Sequence, residues 1–337
     1  MSTPIGFPAQ RTPELLRSLI KDLSDTADDR RIESITGRIA DVADHLGGRV
    51  REPLELERDL SDIDEYRQII AIAETRAAAT QGSIDTLRDL TNELANQAAV
   101  ALQNNAANAL DALGALARDS LSATVSALNT SIGGRGIFSG DSGDQPALTD
   151  PETILAEVQT LLEAGPNPAL AADAVRSGFD DPGALFETML YTGGAGDAPA
   201  AEVAEGERVT YQTKADEQVF RDLVRTVAVI AVAFDPDASL DEPTRRAMGE
   251  EALGELRNTV DPLNRESARI GVAEARIETV KARHVASETA LTRSLNDLSA
   301  ADPLTAATRL QEVEGQLEIL FLTTARLNQL SLSNFLR

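Results

Sequence analysis

Residues 56–101 read LERDLSDIDEYRQIIAIAETRAAATQGSIDTLRDLTNELANQAAVA, and apolar or small residues return in this stretch every seven positions. One series consists of Leu56, Ile63, Ile70, Ala77, Ile84, Thr91 and Ala98, and the series beside it consists of Tyr66, Ala73, Thr80, Leu87, Leu94 and Ala101. Such a heptad pattern is typical of a helix that buries one continuous stripe of its surface. It predicts a single helix from residue 53 to about residue 103, roughly 75 Å long at ~1.5 Å per residue.

Two later segments of the chain carry related patterns. An Asn-rich turn at 103–108 is followed by a predicted return helix, which carries Leu110, Leu113, Ala117, Leu121, Val125 and Leu128. Nearer the other end the seven-residue series returns as Leu263, Ile270, Ile277, His284, Leu291 and Leu298. We expect Asp261-Pro262 to begin that helix, because Asp is a good N-cap and Pro suits the first turn.

The two ends of the chain are predicted to be helical as well. Residues 14–47 form a helix that Gly47-Gly48 ends, and its seam consists of Ile32, Ile35, Ile39, Val42 and Leu46. Asp302-Pro303 begins the last helix, which carries Leu310, Val313, Leu317, Leu320, Thr324 and Leu327. Ordering a backbone costs ~1–2 kcal/mol per residue, and an isolated two-helix seam has little to offset it. We therefore expect both ends to fray in the free monomer and to become ordered in an assembly.

The middle of the chain, residues 139–215, is rich in Gly, Pro and Asp. Its pattern predicts short helices near 151–164 and 168–178 and short strands at 189–192 and 208–212. The fold class is therefore mainly α, a long antiparallel helical bundle or coiled coil formed by the N- and C-terminal regions, with a small inserted α+β domain. The predicted domains are terminal coiled-coil helices (1–47 and 301–337), a helical bundle (48–138 and 216–300) and an inserted variable domain (139–215).

Composition restricts the possible partners. The net charge is −24, and so acidic a surface repels phosphate backbones and anionic lipid, which argues against nucleic-acid binding. The longest apolar run, 227–234, is far shorter than the ~20 residues of a membrane span, so no membrane insertion is expected. The N-terminal residues lack the pattern of a cleaved secretory signal. There is no cysteine, which excludes disulfides and thiolate chemistry.

Two short motifs suggest chemistry and are rejected on their surroundings. Gly140-Asp141-Ser142-Gly143 matches part of a serine-protease signature, but such an enzyme needs a histidine base held by an aspartate. His45 lies in the first predicted helix, and His284 occupies a core position of the second heptad series. The segment 235–241 matches the start of a calcium loop, but Leu240 stands where Gly is needed and Arg246 where Glu is needed. We predict no enzyme activity and no catalytic, cofactor or metal site.

Both ends of the bundle resemble one family. The segment Leu128-Asn129 to Phe138-Ser139-Gly140 is similar to the point where the return helix ends in flagellar hook-associated protein 3, the hook–filament junction protein. The last residues are more specific: Leu330-Ser331-Leu332, two further residues, then Phe335-Leu336 resemble the end of that family's closing helix. Ile270-Gly271 also fits. The resemblance extends over 48–140 and 216–337.

The resemblance implies a structural protein of the bacterial flagellum that is extracellular and is exported by the type III apparatus without a cleaved signal, with an export chaperone. It implies a homo-oligomer that forms the layer between hook and filament and stacks on the first hook-associated protein and on flagellin. The predicted assembly interface consists of Ile32, Ile35, Ile39, Val42, Leu46, Leu310, Leu317, Leu320, Leu327, Leu330, Leu332, Phe335 and Leu336. Two alternatives stay open: flagellin itself, which shares the two-ended helical plan, and a helical tip or adaptor protein of a secretion system.

Overall fold

The computed structural model describes residues 11–42, 51–104, 107–165, 167–238 and 240–335. Helices account for most of these residues: α1 Arg11–Thr36, α2 Arg51–Asn104, α3 Ala107–Leu128, α4 Pro151–Ala164, α5 Pro168–Asp180, α6 Gln218–Ala233, α7 Glu242–Ser299 and α8 Pro303–Phe335. The strands form two antiparallel pairs, β1 Ser131–Ile132 with β2 Arg135–Gly136, and β3 Ala201–Ala204 with β4 Glu207–Val209. The prediction of a mainly α fold with a small α+β part is confirmed. In the described part of the chain, no helix is both long and apolar enough to cross a membrane.

The chain divides into two compact units. The body unit consists of residues 65–284, and the terminal unit consists of residues 1–64 and 285–337. The helices α2 and α7 each contribute residues to both units. Their heptad stripes can therefore be compared in two different environments along a single helix.

The core of the body unit is built on the predicted stripes. In α2, Ile70, Ile84 and Leu87 are fully buried, and Leu263 and Ile277 are fully buried in α7. The helix α6 holds residues 227–233 of the apolar run and is buried over nearly its whole circumference. It packs against α3, α4 and α5. A helix that is apolar all round needs neighbours on every side, and here it has them.

Pro262 lies inside α7, so the prediction that Asp261-Pro262 begins a helix is wrong. A proline in a helix interior removes one backbone hydrogen bond and costs ~3 kcal/mol or more. Leu256 and Leu263, on either side of it, are fully buried, and each such side chain contributes roughly 1.5–3 kcal/mol. Burial on both sides of the proline therefore offsets the local penalty, and the helix continues through it.

The first helix ends at Thr36, not at residue 47 as predicted. Gly37 has a φ of 65°, in the left-handed region that glycine favours, and its N–H donates to the Glu33 carbonyl at 2.9 Å. The chain then pairs with residues 299–301, because the Ile39 N–H donates to the Ser299 carbonyl at 2.8 Å and the Ala301 N–H to the Gly37 carbonyl at 2.9 Å. Ile39 and Val42 therefore do not continue the seam of α1. The predicted stop at Gly47-Gly48 lies outside the described residues.

The inserted region is partly as predicted. Both short helices are present as α4 and α5, and they begin at Asp150 and Asn167, whose side chains accept backbone N–H bonds from the first turn. The strand predicted at 189–192 is wrong: residues 186–190 form one π-helical turn, which buries Phe186 and Leu190, and only Tyr191 pairs with Leu148. The strand predicted at 208–212 is shorter and earlier, at Glu207–Val209, where it pairs with β3.

The segment 129–148 joins α3 to the inserted region. Asn129 holds it from one side, donating to the Leu148 carbonyl at 2.9 Å and accepting from the Leu148 N–H at 2.8 Å. Gly133 and Gly134, with φ of 62° and 76°, make the tight turn between β1 and β2, the type of turn that requires positive φ at both central positions. The segment is therefore a fixed connection between the bundle and the insertion.

Candidate assembly surfaces

In the terminal unit, α1 and α8 pack against each other. One side of each helix is half-buried at steps of three and four residues: Leu16, Ile20 and Leu23 in α1, and Leu310, Val313, Leu317 and Leu320 in α8. Among the described side chains of the two helices, only Ala27, Glu33 and Ala306 are fully buried. The pair thus forms a seam, but the seam shelters few apolar groups completely.

The predicted interface residues fall into three groups. Leu310, Leu317 and Leu320 lie on the seam and are half-buried. Ile32, Ile35 and Leu327 are exposed, with Ile35 at 77%, and Ile39 and Val42 are half-buried beyond the end of α1. Leu46 and Leu336, and the side chains of Leu330, Leu332 and Phe335, lie outside the described residues. The structure therefore does not gather the predicted residues on one face.

A second set of exposed apolar side chains was missed at the sequence level. It consists of Leu15, Leu19, Leu304, Ile319, Phe321 and Leu322. These residues stand between the seam positions, so the heptad pattern assigns them to the solvent side of each helix. They could have been identified from the sequence, because both sides of α1 and α8 carry large apolar residues. A side that faces solvent would normally carry charged residues.

An apolar cleft opens in the terminal unit beside the end of α1. It has a volume of about 710 Å³ and is lined by Ile32, Ile39, Val42, Leu54, Leu295 and Leu298. Arg38 and Glu57 also line it. Its size falls in the ~300–1,000 Å³ range of ligand pockets in proteins. Ile32, Ile39 and Val42, predicted as a coiled-coil seam, meet here as one wall of a concave surface.

Among the described side chains, the salt bridge between α1 and α8 lies at the surface. Arg31 contacts Asp28 at 2.8 Å and Glu314 at 3.4 Å, and all three side chains are largely exposed. Pairs of this kind contribute ~0–1 kcal/mol each. Arg30 pairs with the buried Glu33 within α1, and the Glu33 carboxylate accepts from the Ala40 N–H at 3.4 Å, which helps hold the turn after α1. The electrostatic contribution to the pairing of the two helices is therefore small.

The first turn of α8 has a well-formed cap. The Asp302 carboxylate accepts the Leu304 N–H at 3.1 Å and the Thr305 hydroxyl at 2.6 Å. Those hydrogen bonds lower the pKa of Asp302 below its ordinary value of 3.8, the hydroxyl of Thr305 contributing most. The prediction that Asp302-Pro303 begins the last helix is confirmed.

The body unit contains a buried charge cluster that packing explains. Arg225 is almost fully buried and contacts Asp222 at 2.9 Å and Asp180 at 3.2 Å. Burial, partly offset by Arg225, raises the pKa of Asp222 above its ordinary value. A buried charge is tolerated only when it is paired and hydrogen-bonded, and Arg225 meets that condition. The cluster joins α5 to α6.

The residues that suggested chemistry are engaged in structural contacts. Ser142 lies in the loop 140–143, where the Asp141 N–H donates to the Gly196 carbonyl at 3.0 Å. His284 is buried, its Nε2 lies 2.7 Å from the Val203 carbonyl oxygen, and its ring stacks on Tyr66. His45 lies outside the described residues. Asp235, the first residue of the calcium-like segment, pairs with Arg118. Within the described ranges, no group of three or more His, Cys, Asp or Glu side chains is placed to hold a metal ion.

These features define the class of the protein: a mainly helical chain with a long-helix body, a small insertion, and two ends that pair in a separate unit. No protein-family model matches the sequence, and a search of curated proteins finds no match.

Two solved structures have a fold similar to that of this chain over 71–73% of its length. One is described as a flagellar hook-associated protein of Vibrio parahaemolyticus; it aligns at 16% identity over 73% of this chain and 95% of its own length, with a TM-score of 0.52. The other is FlgL of Bacillus cereus, at 17% identity over 71% of this chain and 97% of its own length, with a TM-score of 0.52. This chain therefore has the fold of these flagellar proteins, which confirms, at the level of the fold, the resemblance carried by the sequence motifs.

Proposed function

We propose that this chain is a structural subunit of the bacterial flagellum that forms the junction layer between hook and filament. The observation that carries the proposal is the combination of the shared fold with apolar side chains left exposed on both helices of the terminal unit. Soluble monomers rarely expose contiguous apolar patches, and those that do use them for association. The chain's role is mechanical, and no reaction is assigned to it.

In this proposal the regions 1–47 and 301–337 become fully ordered only when neighbouring copies cover them. The bundle regions 48–138 and 216–300 pack side by side with those of neighbouring subunits, and the insertion 139–215 faces outward. Ile35 and Leu327, both exposed in the single chain, are covered in the layer. Each large apolar side chain that becomes fully buried contributes roughly 1.5–3 kcal/mol toward holding the ends in the layer.

The partners follow from the same assignment. Copies of this chain form the layer, the first hook-associated protein lies on the hook side and flagellin on the filament side. The chain is exported to the extracellular flagellum by the type III apparatus without a cleaved signal, and an export chaperone covers the apolar terminal helix before export. The strongly acidic surface, with 55 acidic against 31 basic residues, favours solubility while those surfaces are uncovered.

The decisive experiment replaces the gene with variants in the native host and images the flagella. Truncation after Arg326 removes the end of α8 and should abolish incorporation and swimming, while circular dichroism shows a folded body. The matched pair is Leu327→Asp, which should also block incorporation, and Leu170→Asp, an equally exposed leucine of the body unit, which should not. Normal filaments on the truncated protein would contradict the proposal.

Gene deletion separates the junction role from that of flagellin. Loss of a junction layer should leave hooks intact while monomeric flagellin accumulates in the medium. Loss of flagellin should leave hooks with no shed subunit of that size. A secretion tip or adaptor would leave filaments and swimming unchanged.

A further inference from the structure

We propose that the apolar cleft of the terminal unit is the docking site for the exposed ridge of α8 from a second copy of the chain. The cleft is lined by Ile32, Ile39, Val42, Leu54, Leu295 and Leu298. The ridge is the exposed side of α8 that carries Phe321, Leu322 and Ala325, beside the seam residue Leu317. This inference rests on the proposed function, since it names the surfaces through which self-assembly begins.

The two surfaces match in polarity. The cleft is concave and mostly apolar, and the Leu54 side chain on its wall is 60% exposed. The ridge projects two large side chains, Phe321 and Leu322, which are 56% and 58% exposed. In the single chain, the apolar groups of the cleft and of the ridge are both exposed to water. Docking would bury both sets, and burial of apolar surface is the main favourable contribution to association.

Charge sets the orientation. Glu318, Leu322 and Arg326 form one row along α8 at steps of four residues, so an acidic and a basic side chain flank the ridge, roughly 12 Å apart at ~1.5 Å per residue. The cleft has one residue of each sign, Arg38 and Glu57. Docking that places Glu318 at Arg38 and Arg326 at Glu57 pairs both charges.

Within the described residues, these four charges, like those of Arg58 and Arg309, take part in no ion pair, whereas some of their neighbours do. In the described part of the terminal unit Arg30, Arg31 and Arg51 are each paired with a carboxylate. No ion pair within the described residues involves Arg38, Glu57, Glu318 or Arg326, and all four side chains are exposed. The unpaired charges thus lie beside the two uncovered apolar surfaces.

The contact is heterologous, because the cleft and the ridge are different surfaces of the same chain. Each copy that docks its ridge leaves its own cleft open for the next copy. Contacts of this type build rings or open helical arrays, whereas a self-complementary patch stops at a dimer. The inference therefore yields a continuing layer from a single kind of contact.

The absence of cysteine makes cross-linking a direct test. Leu54→Cys protein and Leu322→Cys protein are mixed at high concentration and oxidised, and the mixed dimer should exceed its statistical share in large excess over both homodimers. The Leu54→Cys, Leu322→Cys double variant should give a ladder of higher multimers. Val272→Cys, an exposed position of the body unit, is the control and should combine with Leu54→Cys only statistically.

A charge exchange tests the orientation. Arg38→Glu and Glu318→Arg should each slow formation of the mixed dimer about two- to fivefold, the range expected for an exposed ion pair. Combining the two changes should restore the rate. Two single losses that add in the double variant would overturn the assigned orientation.

Other outcomes overturn the proposal itself. Predominant Leu322→Cys homodimers would show a ridge that pairs with its own copy. A rise in maleimide labelling of Leu54→Cys on deleting residues 2–10, measured in dilute protein, would show that the chain's own N terminus occupies the cleft. Sedimentation of the unmodified protein distinguishes failure of this contact from failure of the proposed function. Association of the protein without the Leu54–Leu322 cross-link rejects this contact alone. No association at any concentration rejects both the contact and the proposed function.

Discussion

The same heptad stripe is buried to different extents in the two units along the single helix α7. In the body unit, Ile270 and Ile277 of α7 are fully buried, whereas Leu291 and Leu298, further along the same series, are only half-buried in the terminal unit. Both pairs are large aliphatic residues in one seven-residue series. What changes is the number of neighbours, because the body unit has several helices and an inserted region to close around the stripe. A heptad pattern therefore predicts which side of a helix is apolar, but not how completely that side is covered.

The aromatic residues divide in the same way. Five phenylalanines are fully buried in the body unit: Phe138, Phe179, Phe186, Phe220 and Phe234. In the terminal unit the one phenylalanine whose side chain is described, Phe321, is more than half exposed. Phe138 and Phe220 also make an edge-to-face contact with ring centres 5.6 Å apart. The body unit thus has the core of a stable domain, and the terminal unit keeps large apolar groups at its surface.

The largest expected effect on stability comes from removing a buried phenylalanine, compared with an exposed one. Phe220→Ala removes a fully buried ring and should lower the free energy of unfolding of the body unit by ~3–5 kcal/mol. Phe321→Ala removes an exposed ring and should change the stability of the monomer by no more than ~0.5 kcal/mol. Urea unfolding followed by circular dichroism at low protein concentration measures both.

The control for these two variants is the protein concentration at which stability is measured. If Phe321 is covered by a second copy, Phe321→Ala should become costly where the native protein associates and remain neutral in dilute solution. A loss of 2 kcal/mol or more in the dilute monomer would mean that Phe321 already has shelter within one chain, and the contrast between the units would fail.

Two helical glycines give the next largest effect, and the expected signs are opposite. In Gly114→Ala of α3 the new methyl group would press on the backbone carbonyl of Phe234, which cannot move away as a flexible side chain would. We expect a net loss of ~1–3 kcal/mol, the usual cost of overpacking. In Gly315→Ala of α8 nothing lies within 4 Å of the added group, so the higher helix propensity of alanine should stabilise α8 by up to ~1 kcal/mol.

Thermal unfolding of the two variants measures whether the added methyl group destabilises or stabilises each unit. Gly254→Ala, a helical glycine of the body unit with open space around it, controls for the substitution itself and should be neutral or stabilising. A destabilised Gly315→Ala monomer would indicate close packing around α8 that the single chain does not have.

Much of the body unit could be predicted from the sequence, because its elements follow local rules. The long heptad of α2 and the return helix α3 follow from the spacing of apolar residues, and in the terminal unit the start of α8 at Asp302-Pro303 follows from residues next to each other in sequence. The missed features depend on contacts between distant residues. Pro262 is tolerated because Leu263 and its neighbours are buried, and Tyr191 pairs with Leu148, over forty residues away.

The end of α1 shows a different cause of error. Gly37 is an ordinary helix stop, but the apolar spacing continues through it to residue 46, and the periodicity outweighed the glycine in the prediction. The chain turns there and pairs with residues 299–301. Ile39 and Val42 keep helical spacing in sequence yet form the wall of a cleft. Of the predicted interface residues, Leu310, Leu317 and Leu320 lie on the seam of α8, whereas Ile39 and Val42 lie beyond the end of α1.

The smallest expected effect compares one capping motif in the two units. The sequence Asp150-Pro151-Glu152-Thr153 begins α4 in the body unit, and Asp302-Pro303-Leu304-Thr305 begins α8 in the terminal unit. Both carboxylates accept a backbone N–H from the first turn and the hydroxyl of the threonine. Hydrogen bonds with Thr153 and Thr305 hold the pKa of each Asp below its ordinary value of 3.8.

A lowered folded-state pKa fixes the sign of the pH dependence. The unfolded chain then binds the proton more readily, so each cap contributes its stabilisation above pH 3.8 and loses it as the pH falls through the lowered pKa. The structural consequence should differ between the units. The helix α4 is held by Ile154, Leu155 and Val158, which are buried, so it should stay folded when its cap is protonated. The helix α8 has only a half-buried seam and should fray from its first turn.

Amide exchange in the first turns of α4 and α8, measured across this pH range, tests the comparison. Asp302→Ala should abolish protection at the start of α8 at every pH, and Asp150→Ala should reduce protection only locally. Asp302→Asn is the matched control, because Asn caps a helix about as well as Asp but does not titrate, so protection should become independent of pH. Equal acid fraying of the two helices would mean that tertiary burial does not distinguish them, since an identical cap has then produced an identical result in both units.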